Sequence, residues 1–179
     1  MNTTPAKERS VLVAQGEFEV ASEPNVVLST LLGSCVAACI WDPDLGIGGM
    51  NHIVLPERAG GRVSDNFAGV NAMELLINGI IKQGGRRPHL QAKLFGGASM
   101  IAGLSTVGVR NAEFATEFLE REGIPCLSTS LGGDAGRRVQ FWPATGRARQ
   151  KLMPKDTAIE EPMAPAPQAS AGGDDIELF

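Results

Sequence analysis

Residues 29–56 read STLLGSCVAACIWDPDLGIGGMNHIVLP, and this stretch sets the class of fold. The run from Pro24 to Trp41 carries no charged residue. Its length approaches the roughly 18–20 residues of a membrane-spanning helix. It nevertheless holds Asn25, Ser29, Thr30, Gly33 and Ser34 and is rich in valine. Two buried strands around a turn account for it better. The first, Val26–Leu32, follows the turn-forming pair Glu23-Pro24, and the second, Cys35–Trp41, ends at Asp42-Pro43. A third strand, Gly48–Leu55, stops at Pro56.

Upstream, Gly16–Ala21 reads as a short strand. Four strands in succession with no crossover helix between them fit poorly with a doubly wound parallel sheet. Downstream lies a polar glycine-rich loop, Glu57–Ser64, after which Ser64 or Asp65 is placed to cap a helix. Val70, Met73, Ile77, Ile80 and Ile81 recur at helical spacing, and Gly84-Gly85 ends that helix. His89–Phe95 is a strand running into Gly96-Gly97. Asn111–Glu122 is a second helix with Phe114, Phe118 and Leu119 as its buried stripe. Ile124–Leu131 is a strand, and Val139–Trp142 pairs with Ala148–Met153 as a hairpin. The expected class is α/β, a sandwich-like domain with mixed sheets.

The domain is expected over residues 11–154, behind a flexible arm at 1–10. Residues 155–179 read as a disordered acidic tail, because Pro162, Pro165 and Pro167 with interleaved alanines cannot build a core. Its last six residues, DDIELF, place apolar side chains on an acidic leash and read as a tethered docking peptide.

The net charge is −4 over 179 residues, and the acidic residues cluster beyond Pro154. A nearly neutral body argues against nucleic acid as a partner, since phosphate binding needs concentrated basic surface. Arg137, Arg138, Arg147, Arg149 and Lys151 give the C-terminal hairpin a basic face, a candidate docking surface or a solvated strand face. Three cysteines, Cys35, Cys39 and Cys126, make neither a disulfide framework nor a zinc site, which suits a reducing compartment. The opening MNTTPAKERS lacks the apolar core of a signal peptide, so the expected location is the cytoplasm. Neither G-x-G-x-x-G nor GK[ST] is present, and no metal or organic cofactor is called for.

Cysteine chemistry needs a thiolate, a histidine within reach of its proton, and a third group to orient the histidine. Of the two histidines, His89 lies in the exposed-looking RRPHLQ, whereas His52 lies inside an apolar strand. There it shares a face with Met50 and Val54, opposite Asn51, Ile53 and Leu55. A buried ring needs a hydrogen-bond partner. A core histidine satisfied by a carbonyl meets that need as well as a catalytic one. Cys35 follows Leu32-Gly33-Ser34, where glycine permits a sharp turn and close approach of a substrate. Cys39 and Cys126 read as small core residues. Gly96-Gly97-Ala98 and Leu131–Gly136 read as a substrate cradle or as ordinary turns.

The segment STLLGSCVAACIWDPDLGIGGMNHIVLP resembles the signature of the CheD family, the chemoreceptor glutamine deamidases of bacterial chemotaxis. KLFGGA at 93–98, VGVRN at 107–111 and LGGDAGRRVQF at 131–141 extend the resemblance over residues 12–153. It implies a layered α/β/β fold shared with the cytotoxic necrotizing factor toxins. It also implies hydrolysis of selected glutamine side chains on methyl-accepting receptors, with only peripheral contact at the membrane. The family nucleophile falls on Cys35 and its histidine on His52. The family's hydroxyl residue falls on Ser29, with Thr30 as the second choice. Gly33, Ser34, Thr30, Asn51, Phe95, Gly96 and Gly97 are then the expected substrate-binding set. The family also implies a possible CheC-type phosphatase partner, and a non-catalytic role through it is the alternative.

Overall fold

A computed structural model describes residues 5–56, 67–100, 105–154 and 176–179. The expected helix cap at Ser64 or Asp65 lies outside the described residues. The chain forms β1 (Arg9–Leu12), β2 (Phe18–Ala21), β3 (Val26–Leu32), β4 (Val36–Asp42) and β5 (Ile47–Asn51). Then follow α1 (Phe67–Lys82), a short 3-10 turn (Arg87–His89), β6 (Gln91–Gly96), α2 (Ser105–Glu122), β7 (Cys126–Leu131), β8 (Arg137–Trp142), β9 (Arg147–Leu152) and β10 (Ile176–Leu178).

The strands make two five-stranded sheets. One runs β1-β3-β8-β9-β10 and the other β2-β5-β4-β6-β7. Both are mixed. β1 lies parallel to β3 and β6 parallel to β7, while the remaining neighbours are antiparallel.

Strand β4 shows why the layers stack as they do. All seven of its residues are buried, which an apolar strand reaches only when both its faces are covered. Its even-numbered residues Val36, Ala38 and Ile40 join Met73, Leu76, Ile77 and Ile80 of α1 and Phe114, Phe118 and Leu119 of α2. Its odd-numbered residues Ala37, Cys39 and Trp41 join Leu28, Leu32, Val139 and Phe141 of the other sheet. The order of layers is therefore helices, sheet, sheet, the α/β/β arrangement that the resemblance implied. Gly49 of β5 brings α1 close, since a Cβ there would sit 2.7 Å from Leu76 Cδ1.

Several expectations need adjustment. Residues 9 and 10 belong to β1, so the N-terminal arm is shorter than expected. Val70 and Ile81 are exposed, and the buried stripe of α1 is Gly69, Met73, Leu76, Ile77 and Ile80. Cys126 lies exposed on edge strand β7 and is no core residue, whereas Cys39 is fully buried. Arg137 is buried too, its guanidinium donating to the carbonyls of Ser130 and Gly132, and so leaves the expected basic face. Of the tail, residues 155–175 lie outside the described residues, but Ile176–Leu178 pair antiparallel with β9.

Candidate active site

Cys35 sits just before β4, and His52 just after β5. Between them Val36 and Ile53 form an antiparallel bridge with both hydrogen bonds made, at 3.0 and 2.7 Å. That register sets His52 opposite Ala37 and Cys35 opposite Val54. The cysteine and the imidazole are therefore diagonal neighbours on one face, a spacing of about 7–8 Å between Cα atoms that an aromatic ring can span. The shared face is the inner one, toward the other sheet, where Cys35 packs against the inter-sheet core. Gly33, Ser34 and Cys35 are half-buried, so the segment that carries the Cys35 thiol is open to solvent. His52 is 8% exposed.

The other sheet supplies the ring's partner. Thr30 Oγ1 lies 2.9 Å from His52 Nδ1 and 2.7 Å from the carbonyl oxygen of Val13. A carbonyl only accepts, so the single threonine hydrogen goes to Val13. The hydroxyl must then accept from the ring, and Nδ1 carries the proton. Nε2 is left as the basic nitrogen. The backbone of His52 is held as well, its N–H donating to Glu17 O at 3.1 Å and its carbonyl accepting from Gly16 N at 2.9 Å.

The expected first choice for this contact, Ser29, does not make it. Side chains alternate along β3; Leu28, Thr30 and Leu32 point inward, and Ser29 is half-buried on the opposite face. The hydroxyl that meets the ring belongs to Thr30.

The Gly33–Cys35 segment is tied at three successive carbonyls. Gly33 O accepts from Ala98 N at 2.9 Å, Ser34 O from Asn111 Nδ2 at 2.8 Å, and Cys35 O from Gly97 N at 2.8 Å. Gly96 has φ of 115°, and a Cβ on it would fall 2.1 Å from Cys35 O. Gly96 and Gly97 thus carry the segment from below. Phe95, beside them, is fully buried and backs the same segment. Asn51, expected among the substrate-binding residues, is 1% exposed: its Oδ1 accepts from Ala38 N of β4 at 3.0 Å and its side chain contacts Met73 of α1.

Asn111 was missed by sequence reasoning. It is fully buried on α2. Its Nδ2 holds Ser34 O and its Oδ1 accepts from Leu55 N at 3.0 Å. One amide therefore joins the segment before Cys35 to the segment after His52. The available signal was a weak helix former on the same helix stripe as Phe114, Ala115 and Phe118.

Cys39 is unsuited to attack, because burial pushes its thiol far above the ordinary range. Among the described residues no group of three or more His, Cys, Asp or Glu is arranged to hold a metal ion. No helix among them is long and apolar enough to cross a membrane.

A family model described as CheD chemotactic sensory transduction matches residues 54–152. A Caulobacter vibrioides protein named "Probable chemoreceptor glutamine deamidase CheD" is 51% identical over 180 residues, covering 98% of this chain and 96% of the relative. The chain belongs to the CheD family. A CheD relative of the same name from Sinorhizobium medicae is 51% identical over 191 residues and all of both chains. The family-model match begins beyond His52, but these CheD similarities run through the Cys35–His52 region as well. Among solved structures, Bacillus licheniformis hypothetical protein YfiH is similar at 16% identity and TM-score 0.42, over 69% of this chain and 60% of that one.

Proposed function

We propose that this protein hydrolyses the side-chain amide of selected glutamines on methyl-accepting chemoreceptors to glutamate, with Cys35 as nucleophile and His52 as its proton carrier. The observation that carries the reading is the hydrogen-bond order Val13–Thr30–His52. It leaves Nε2 basic on the face that Cys35 shares. CheD membership and the relatives' names supply the substrate class.

The reaction runs in two halves. Cys35 Sγ gives its proton to His52 Nε2 and attacks the carboxamide carbon, forming a C–S bond. The tethered Gly33–Cys35 segment presents its amides in fixed planes, and those of Ser34 and Cys35 stabilise the oxyanion. Protonated His52 delivers its proton to the departing amine, and ammonia leaves a thioester. Water, losing a proton to neutral His52, attacks the thioester, and the C–S bond breaks to give glutamate and the thiol. The thiol's first proton leaves with ammonia and a proton from water, passed back by His52, replaces it on Cys35, so the cycle consumes one water and needs no oxidant or other co-substrate. The work is placed in the cytoplasm, with membrane contact only through the embedded receptors.

The test is ammonia release from a receptor cytoplasmic fragment, alongside mass mapping of its peptides. Wild type is expected to release one ammonia for each glutamine converted, without chain cleavage. His52→Ala is expected to lose at least about 100-fold in rate. Unchanged conversion by a folded His52→Ala protein would reject the assignment. Alkylating Cys35 separates the family's alternative, binding to a CheC-type phosphatase, since that role needs no thiol.

A further inference from the structure

Strand β10 is an unusual neighbour. It is joined to β9 only through residues 153–175, whose sequence is rich in proline and alanine, yet it lies along β9 in defined register. Ile176 pairs with Lys151, Glu177 with Gln150 and Leu178 with Arg149. Phe179 continues the ladder by exchanging both backbone hydrogen bonds with Ala148, at 3.0 and 3.3 Å. Its ring packs edge-on against Phe95 at 5.4 Å between centroids, in the inter-sheet core.

A second element meets the same residue. Lys93 projects from β6 of the opposite sheet and is only 8% exposed. Its ammonium donates to Phe179 O at 2.6 Å and Gly146 O at 2.8 Å and lies 5.4 Å from the centre of a Trp41 ring. A buried ammonium requires acceptors, and one of the two oxygens holding it belongs to the tail. Glu177 adds a polar contact, accepting from Gln150 Nε2 at 3.2 Å. Backbone pairing, a seated aromatic ring and a buried cation on a tail oxygen are the parts of a strand-addition site. Leu178 points outward and is 73% exposed, so it contributes little to the seat.

We propose that the β9 edge, the Phe95 face and Lys93 together form a peptide-binding site. Its resident ligand is the chain's own Ile176–Phe179, and it accepts other extended peptides carrying an acidic residue two places before an aromatic one. The occupant is held by tethering: a short strand with one anchoring ring competes well at the high local concentration a tether gives. Detached, it leaves an open sheet edge that favours pairing with another strand.

The test uses the full chain. The double variant Glu177→Pro/Phe179→Ala removes one ladder N–H and the anchoring ring. An N-terminally fluorescein-labelled peptide of sequence DDIELF with its terminal carboxylate free is titrated by anisotropy against wild type and variant. Saturable binding to the variant is expected, at least about tenfold weaker binding to wild type, where the resident strand competes, and a loss of about tenfold when the peptide phenylalanine is alanine. Hydrogen exchange at the Ala148 amide provides a second readout. Its protection is expected to fall in the variant and return on adding peptide. A folded variant that ignores the peptide, or equal binding to wild type and variant, overturns the proposal.

Discussion

Thr30 has one hydrogen and two partners within reach, Val13 O, which can only accept, and His52 Nδ1, and that arithmetic sets the state of the ring. Thr30→Val keeps the shape but removes the hydroxyl, leaving the buried Nδ1–H without its acceptor. The imidazole then loses its bias toward the productive tautomer. Thr30→Val is expected to lower kcat by on the order of 100-fold with little change in KM, measured on receptor glutamine conversion. Ser29→Ala, on the far face of the same strand, is expected to stay within about twofold of wild type. Equal losses in both variants would contradict the tautomer argument. The residue scale is also where the sequence was least decisive. Cys35 and His52 stood out because a cysteine after a turn and a polar ring in an apolar strand are locally conspicuous. The choice between Ser29 and Thr30 depended on strand phase relative to the opposing sheet, a long-range property that no local pattern contains.

At the scale of elements, α2 does more than cover the sheet. Through Asn111 it spans from Ser34 O to Leu55 N, clamping the two segments that carry the thiol and the imidazole. Asn111→Asp tests this with almost no change in volume. The carboxylate still accepts from Leu55 N but cannot donate to Ser34 O, and it opposes that carbonyl with negative charge. We expect kcat to fall by at least about tenfold, and alkylation of Cys35 by iodoacetamide to change in rate and pH profile, while KM moves little. A purely structural role predicts a lower melting temperature with the alkylation profile of the folded protein unchanged. Elements themselves were largely legible: Val26–Leu32 was read with its observed bounds, and an uncharged strand ending at Asp42-Pro43 gave β4 away. The 3-10 turn at Arg87–His89 was read as strand at His89. Its backbone follows Pro88, and His89 is drawn outward to Asp44, with Nδ1 at 3.0 Å from the carboxylate. β10 was missed as a strand because three residues beyond a proline-rich stretch form a strand only by borrowing the edge of β9.

For the whole molecule, the layer order makes the site. Strand β4 is covered on one side by helices and on the other by a second sheet. The inner face can therefore bring Thr30 from one sheet to His52 of the other. The absence of crossover helices among the first strands argued against a doubly wound sheet and for mixed sheets, while the layered α/β/β order came from the family resemblance. The pairing of β1 with β3 and of β3 with β8 joins distant segments, and no periodicity foretells such partners. The fold sets three cysteines in three environments: Cys35 half-buried at the strand entrance, Cys39 sealed in the core, and Cys126 exposed on an edge. Replacing each with alanine in turn, and following receptor glutamine conversion to glutamate by peptide mass mapping, tells which thiol carries the reaction. Conversion is expected to vanish with Cys35→Ala and to persist with Cys39→Ala and Cys126→Ala in folded protein. Sustained conversion by Cys35→Ala, or abolition by Cys126→Ala, contradicts the assignment of Cys35.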